Sequence, residues 1–172
     1  MVNWKILYQQ EYSCILKKLP KNKQKEINLV LWSEGYYISP KQEAKLDIRE
    51  WSQDHQLEGC GKNDALRGIT FDKSEAIKTI DYLKNIYLPL IIRYSDLISY
   101  KDKNEIKLSK DLKNGIKIIS LSTFSGSLKC HIRYWVDNVP TKKGITLDSI
   151  EALKVIQVFE KAIKNNRVWE KE

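Results

Sequence analysis

Two segments of the chain alternate polar and apolar residues in nearly the same order. Residues 45–51 read KLDIREW, and residues 129–135, 84 positions later, read KCHIRYW. Successive side chains of an extended strand point to opposite faces, so both segments predict half-buried antiparallel strands with one apolar face. The other face repeats a base, a polar residue, an arginine and a tryptophan. A face that only had to contact water would not need the tryptophan, so the repeat indicates a functional surface.

A second pair of similar segments follows the first pair. Residues 68–76 read GITFDKSEA and residues 144–152 read GITLDSIEA. Each predicts a strand that leads into a helix, with an aspartate as N-cap and a glutamate three residues later completing a capping box. The capping residues are Asp72 with Glu75 and Asp148 with Glu151. Apolar residues at helical spacing follow both caps, so the chain reads as an internal duplication of strands and then a helix.

The remaining elements follow from shorter patterns. Further strands are predicted at residues 27–32, 36–39, 106–108 and 116–121. A hairpin turn is predicted at 124–127, a long loop at 52–66 and a shorter loop at 137–141. Pro89 should end the first helix, because proline lacks the N–H and its ring strikes the preceding helical turn. The connector from Leu88 to Lys103 could hold a short helix of its own. The second helix should end near Lys164, followed by a frayed tail.

Residues 1–25 fit two patterns, and the sequence leaves both open. The alternation of Trp4, Ile6 and Tyr8 predicts a strand. Helical spacing of the next apolar residues predicts instead a short helix that ends at Pro20; these residues are Tyr12, Ile15, Leu16 and Leu19. The lysine-rich segment 21–25 is typical of a solvated turn.

The repeats predict an α+β fold of two units, each a sheet of about four antiparallel strands followed by one helix. The predicted boundaries are 1–25 for an N-terminal extension, 26–88 for the first unit, 89–104 for a linker, 105–166 for the second unit and 167–172 for the tail. One such unit alone buries little apolar surface, so the two are expected to pair within the chain as a pseudo-dimer about an approximate two-fold axis. The expected state is a monomer with internal symmetry, and further self-association stays open.

The uneven distribution of charge favours binding of a polyanion by the second half of the chain. The 172 residues carry 30 basic and 22 acidic side chains, a net charge of +8, of which residues 1–100 contribute +2 and residues 101–172 contribute +6. All but five of the bases are lysine, which suits phosphate contact better than the reading of base edges. Binding with low sequence specificity is therefore expected.

Composition also indicates that the chain should lack a metal site, a membrane span and a catalytic motif. Its three cysteines and two histidines, at 14, 60, 130 and at 55, 131, have no metal-ligand spacing, so neither a metal nor another cofactor is expected. The apolar runs are too short to cross a bilayer, and no membrane partner is expected. The prediction is a soluble intracellular protein, cytoplasmic or nucleoid-associated. Recognisable catalytic motifs are missing as well, which predicts a protein that is not an enzyme.

The repeated motifs resemble those of the single-stranded-DNA-binding transcriptional coactivators called positive cofactor four. One strand of the family reads roughly Ile-Asp-Ile-Arg-Glu-Tyr-Trp, and it is similar to residues 46–51 and 130–135. Another contains Gly-Ile-Ser-Leu, and it is similar to residues 67–71 and 142–147. The similarity is closer in the second unit than in the first. The resemblance implies a curved four-stranded sheet backed by one helix in each unit. It also implies pairing of units through their helices and single-stranded DNA bound across the sheets, in transcription regulation, replication or repair.

The resemblance and the alternation together select candidate nucleic-acid-binding residues. The tryptophans, with Phe124, would stack on bases, and the arginines and lysines would contact phosphates. The candidates are Lys45, Arg49, Trp51, Arg67, Lys117, Phe124, Lys129, Arg133, Trp135, Lys142 and Lys143. Asp47 and Glu50 make the first unit's surface less favourable to phosphate, so unequal binding by the two units stays open.

Two alternatives to single-stranded DNA binding remain at this level. An RNA-binding protein could use the same scaffold, since sheets that stack bases serve both polymers. A non-catalytic protein-interaction module would instead pair through helices or sheet edges, with its basic surface incidental.

Overall fold

The chain forms two antiparallel sheets and a few helices, an α+β architecture. The computed structural model describes residues 3–7, 9–33, 43–52, 65–93, 105–111, 115–124 and 126–169. The first sheet contains β1 (Asn3–Leu7), β2 (Cys14–Leu19), β3 (Lys23–Ser33), β4 (Lys45–Ser52) and β5 (Ala65–Phe71). The second contains β6 (Ile106–Asp111), β7 (Gly115–Phe124), β8 (Ser127–Val136) and β9 (Val139–Leu147). The helices are α1 (Gln9–Tyr12), α2 (Lys73–Tyr82), α3 (Leu88–Arg93) and α4 (Ser149–Lys164).

The N-terminal residues form part of the first sheet rather than an extension. Strand β1 pairs with the C-terminal half of β3 and β2 with its N-terminal half, so both lie along the same edge, in the order β1 or β2, β3, β4, β5. The strand predicted around Trp4 is confirmed, whereas the alternative short helix is wrong, because residues 14–19 are β2. A bulge between Ile15 and Lys17 directs the side chain of Leu16 into the core. The apolar residues around the bulge therefore have a spacing in the sequence that resembles that of a helix.

The two sheets have the same register along their outer pair of strands. Cys14 pairs with Ile27 in the first sheet, and Ile106 pairs with Ile119, each 92 positions later, in the second. The bulge of β2 recurs at the same place in β6, between Lys107 and Ser109. Order along the second sheet is β6, β7, β8, β9.

The inner strands repeat an arginine opposite a glycine. Arg49 pairs with Gly68 across β4 and β5, and Arg133 pairs with Gly144 across β8 and β9. A Cβ on Gly68 would lie 2.0 Å from the Cβ of Arg49, and one on Gly144 would lie 2.2 Å from the Cβ of Arg133. Only glycine permits this approach, which explains why the Gly-Ile-Thr segments recur together with the arginines.

Both predicted helix starts are confirmed. Asp72 accepts a hydrogen bond from the N–H of Glu75 at 2.8 Å, and Asp148 accepts one from the N–H of Glu151 at 2.8 Å. Each glutamate side chain accepts the N–H of its aspartate in return, so two capping boxes begin α2 and α4.

The first helix does not end at Pro89. A π-helical segment, Leu83–Tyr87, continues α2 directly into α3, where Pro89 is the second residue. The N–H of Leu88 donates to the carbonyl oxygen of Leu83, five residues earlier. This wider turn gives the proline ring the room that an α-helical turn lacks, so the predicted linker begins with helix.

The predicted loop at 137–141 and the predicted tail differ from the structure in smaller ways. The loop expected over 137–141 is a two-residue turn, because Asp137 and Asn138 both have the positive φ angles, 50° and 62°, of a tight hairpin. The tail is held down rather than frayed as far as Trp169, where the described residues end: the ring N–H of Trp169 donates to the carbonyl oxygen of Ala162 at 2.9 Å. The strand predicted at 36–39 and residues 53–64 of the long loop lie outside the described residues.

One apolar core joins the two sheets. The rings of Phe71, in β5, and Phe159, in α4, meet edge to face with centroids 5.1 Å apart. The Tyr87 hydroxyl, at the end of the π-helical segment, donates to the carbonyl oxygen of Leu128 in β8 at 2.9 Å. Helices α2 and α4 contact each other, and β5 contacts β9. Neither sheet therefore has a core of its own.

Two buried ion pairs cross between the sheets in opposite directions. The Nζ of Lys25 in β3 lies 2.6 Å from a carboxylate oxygen of Glu151 in the capping box of α4. The Nζ of Lys117 in β7 lies 2.6 Å from a carboxylate oxygen of Glu75 in the capping box of α2. The two lysines occupy the same register position, opposite Glu50 and Tyr134 on the neighbouring strands.

Backbone groups complete both pairs. Lys25 also donates to the carbonyl oxygen of Thr146 at 2.7 Å, and Lys117 donates to that of Thr70 at 2.5 Å. Burial alone would raise the pKa of Glu75, but the charge and hydrogen bond of Lys117, together with the hydrogen bonds from the N–H of Asp72 and the hydroxyl of Ser109, outweigh it and leave that pKa below its ordinary value. Each lysine thus ties one sheet to a strand and a helix of the other.

Surface contacts cross the same boundary. The Nζ of Lys84 lies 2.6 Å from a carboxylate oxygen of Glu160, which is 76 positions later, the spacing that also separates the two capping glutamates. Long lysines of the helices reach carbonyl oxygens on the edge strand of the other sheet, Lys78 that of Leu108 and Lys154 that of Leu16, both at 3.4 Å.

The buried ion pairs predict a large asymmetry between breaking a pair and replacing it. Lys117→Met leaves the Glu75 carboxylate buried without its ammonium partner and should lower the free energy of unfolding by about 3–5 kcal/mol. Replacing both partners, Lys117→Met with Glu75→Gln, should recover much of that loss. Lys84→Met, which breaks an exposed pair, should cost at most about 1 kcal/mol. Denaturant unfolding measures all three, and equal midpoints for the two single variants would contradict a structural role for Lys117.

Candidate functional site

The second sheet carries a row of polar side chains on the face opposite its core. Leu128, Cys130 and Ile132 of β8 are buried, so His131 and Arg133 point to the other face. His131 Nε2 lies 2.6 Å from the hydroxyl of Ser122 in β7, and Nδ1 lies 2.9 Å from the hydroxyl of Thr146 in β9. The imidazole therefore bridges three strands and is fixed in orientation.

A cavity of about 580 Å³ opens beside this row. Trp135 and Pro140, paired across β8 and β9, form its apolar part. Its polar part combines hydroxyls, the imidazole and three charged side chains: Glu105, Ser120, Ser122, His131, Arg133, Thr141 and Lys142. Trp135 is half-buried, and its indole N–H is buried without an acceptor in the described part of the protein. An aromatic ring, cations and hydroxyls thus face the same space.

Arg133 is held at the centre of this surface. Its Nη1 donates to the carbonyl oxygen of Thr141 at 2.9 Å, which uses one of the five guanidinium N–H donors. Partial burial lowers the pKa of Arg133, and the positive charge of Arg67 in β5 lowers it further. A guanidinium nevertheless stays charged at neutral pH, so Arg133 presents a fixed cation with donors to spare.

A second cavity of about 390 Å³ adjoins the first. His131 and Arg133 line both cavities. The first sheet contributes Lys25, Glu50 and Arg67 to the second cavity, and the second sheet contributes His131, Arg133, Gly144, Ile145 and Thr146. This space, the junction cavity, lies where the two sheets meet.

The corresponding face of the first sheet is closed. Nε and Nη2 of Arg49 lie 2.8–3.0 Å from the carboxylate oxygens of Asp47, which is fully buried. Burial raises the pKa of Asp47 even against the charge of Arg49. The expectation that Arg49 contacts phosphate is therefore corrected, because its side chain is 12% exposed and its guanidinium is committed to a neighbouring acid.

Burial contradicts two further predictions of nucleic-acid-binding residues. Trp51 is 0% exposed, so its ring belongs to the interior and cannot stack on a base without unpacking. Lys117 is 3% exposed and ion-paired with Glu75, so it is a structural residue rather than part of a surface field. Its ammonium also lies 5.6 Å from the ring centroid of Phe71 and 5.4 Å from that of Tyr134.

The other predicted residues remain accessible to different degrees. Lys45 and Lys129 are half-buried at equivalent positions of β4 and β8, and Lys45 lies 4.0 Å from Glu43. Arg67, Lys142 and Lys143 are exposed, and of these Lys142 lines the larger cavity and Arg67 the junction cavity. The backbone of Phe124 ends β7, while its side chain lies outside the described part.

The sequence analysis missed most of the polar residues of the site. Ser120 and Ser122 have the parity of His131 within their strand pair, so the alternation of residues 116–122 could have placed them on this face. Lys25 lies in a segment predicted as a solvated turn. No local pattern distinguishes it, because its partner Glu151 is 126 positions away.

Ser122 and His131 lie within paired strands, where their backbone N–H groups belong to the sheet ladder. In the part of the chain that the structure describes, no group of three or more His, Cys, Asp or Glu side chains is placed to hold a metal ion.

Comparison with protein-family models matches no family to this chain, and comparison with curated proteins finds no match either. Within the described residues, no helix is long and apolar enough to cross a membrane. The polar face of the second sheet, with the two cavities along it, is thus the feature of the molecule that points to a function.

Proposed function

We propose that the protein binds single-stranded nucleic acid, DNA in the first instance, on the polar face of the second sheet and without catalysis. The observation that carries the proposal is the 580 Å³ cavity in which Trp135 faces Arg133 and Lys142. An aromatic ring between cations suits a polymer that alternates flat bases with phosphates. The resemblance to the positive cofactor four family supports the same polymer.

Each part of the cavity has a distinct chemical task. Trp135 with Pro140 offers an apolar surface for one unpaired base, and such stacking tolerates every base. Arg133 and Lys142 meet the phosphates on either side. The hydroxyls of Ser120 and Ser122 both donate and accept, so they adapt to different base edges rather than select one. Low sequence specificity follows from this combination.

We also propose that the chain is a tandem duplication whose two halves pair as a pseudo-dimer. The repeated registers, the repeated bulges and the two capping boxes support it. The strongest support is the reciprocity of the ion pairs, since Lys25 reaches Glu151 while its counterpart Lys117 reaches Glu75. Paired surfaces of this kind are what a two-fold axis generates.

A direct comparison of polymers tests the function. Matched oligonucleotides of single-stranded DNA, single-stranded RNA and duplex DNA should bind in decreasing order at one salt concentration, because duplex bases are not available to stack on Trp135. Tighter binding of the RNA would favour the RNA-binding alternative. No binding of any of the three would leave the protein-interaction alternative, for which α4 offers its exposed Ile150 and Leu153.

The two equivalent tryptophans should respond in opposite ways to truncation. Trp135→Ala should lose about 1–3 kcal/mol of single-strand affinity, since it removes the stacking platform. Trp51→Ala should instead cost about 3–5 kcal/mol of stability, because that ring fills the core. Thermal melting and a single-strand titration on each variant separate the effects. Parent-like binding by folded Trp135→Ala would remove the ring from the site.

Two neighbouring lysines provide a charge-matched test of the cavity. Lys142→Glu should weaken binding and reduce the slope of log affinity against log salt by about 0.7 for each phosphate that the side chain no longer binds. Lys143→Glu makes the same charge change at a residue that does not line the cavity, and the smaller effect is expected there. Equal effects of the two variants would show that the lysines act through the general positive charge of the surface rather than through direct binding by Lys142.

A further inference from the structure

The junction cavity gathers positive charge from both sheets. Arg67 comes from β5 of the first sheet, and Arg133 comes from β8 of the second. They are close enough that the charge of Arg67 lowers the pKa of Arg133. Two like charges beside one cavity repel each other, and an anion between them would relieve that repulsion.

The other charged groups around this cavity leave a positive excess. The ammonium of Lys25 is neutralised by Glu151 at 2.6 Å. Glu50 is the acid that lines the cavity, against the two arginines. Arg133 uses one N–H donor for the carbonyl oxygen of Thr141. The planar guanidinium groups of the two arginines have a geometry that suits phosphate oxygens.

The junction cavity continues the larger one rather than forming a separate site. His131 and Arg133 line both, so a ligand that leaves the Trp135 end passes these two side chains before it reaches Arg67. The described part of the first sheet has no matching route, because Arg49 is closed onto Asp47 and Trp51 is fully buried. The open surface is therefore one path that starts on one sheet and ends on a residue of the other.

We infer that the chain binds one nucleic-acid strand along this single path, with a phosphate held between Arg133 and Arg67 at the junction of the sheets. The inference rests on the proposed function and specifies it. The polar face of the first sheet takes no second strand, and the first half contributes Arg67 instead. Binding thus requires both halves although only one sheet receives bases.

Titration of the full chain with an oligothymidylate of about 8 nucleotides, within the usual site size of small single-strand-binding modules, tests the path. One oligonucleotide should bind per chain. Arg67→Gln should weaken binding and reduce the slope of log affinity against log salt by about 0.7, the value for one phosphate contact. Lys18→Gln is the matched control, because it removes one charge from the same sheet at an exposed residue of β2 that lines neither cavity.

The possible results separate this inference from the proposed function. Two oligonucleotides per chain, or an equal decrease in affinity for both variants, would overturn the single path while leaving single-strand binding intact. An unchanged slope for folded Arg67→Gln would remove the junction phosphate. Absence of binding by the parent chain would reject the proposed function itself, and the inference with it. Melting curves of both variants confirm that the compared proteins are folded.

Discussion

The whole arrangement depends on two lysines that cross from one sheet to the other. Lys25 and Lys117 are removed from water, and each is acceptable there only because a capping glutamate and a backbone carbonyl of the other half receive it. The glutamates in turn are positioned by the aspartate N-caps. Helix capping, sheet register and the contact between halves are therefore one coupled system, and a slip of either strand by one residue would point its lysine to the wrong face.

A single difference at equivalent positions separates the two polar faces. The residue two before the arginine is Asp47 in the first sheet and His131 in the second. The carboxylate draws Arg49 into a buried ion pair, whereas the imidazole bonds to the hydroxyls on either side and leaves Arg133 to reach toward Thr141. Arg49 is thus committed to its neighbouring acid, whereas Arg133 lies beside an open cavity.

Local patterns predicted much of the fold. Alternation located β4 and β8, and the capping boxes located the starts of α2 and α4, because these signals depend on residues a few positions apart. Strand β2, the passage of the helix through Pro89 and the docking of Trp169 were missed. Each depends on a bulge, a π-helical turn or a tertiary contact that spacing in the sequence does not encode. The candidate site was predicted less well, because alternation treated the two copies as equivalent. Trp51 and Trp135 have similar neighbours in sequence and differ in what covers them, and Lys117 looked like any surface base because its acceptor is distant along the chain.

The pair formed by Lys84 and Glu160 has a consequence for how such a protein can change over time. These residues stand at corresponding positions of the two halves and meet each other. In an assembly of two identical chains, the same positions would carry the same charge and repel. Once the halves are encoded separately, a substitution on one side can be matched by its opposite on the other. At this pair the two sides are then complementary rather than interchangeable.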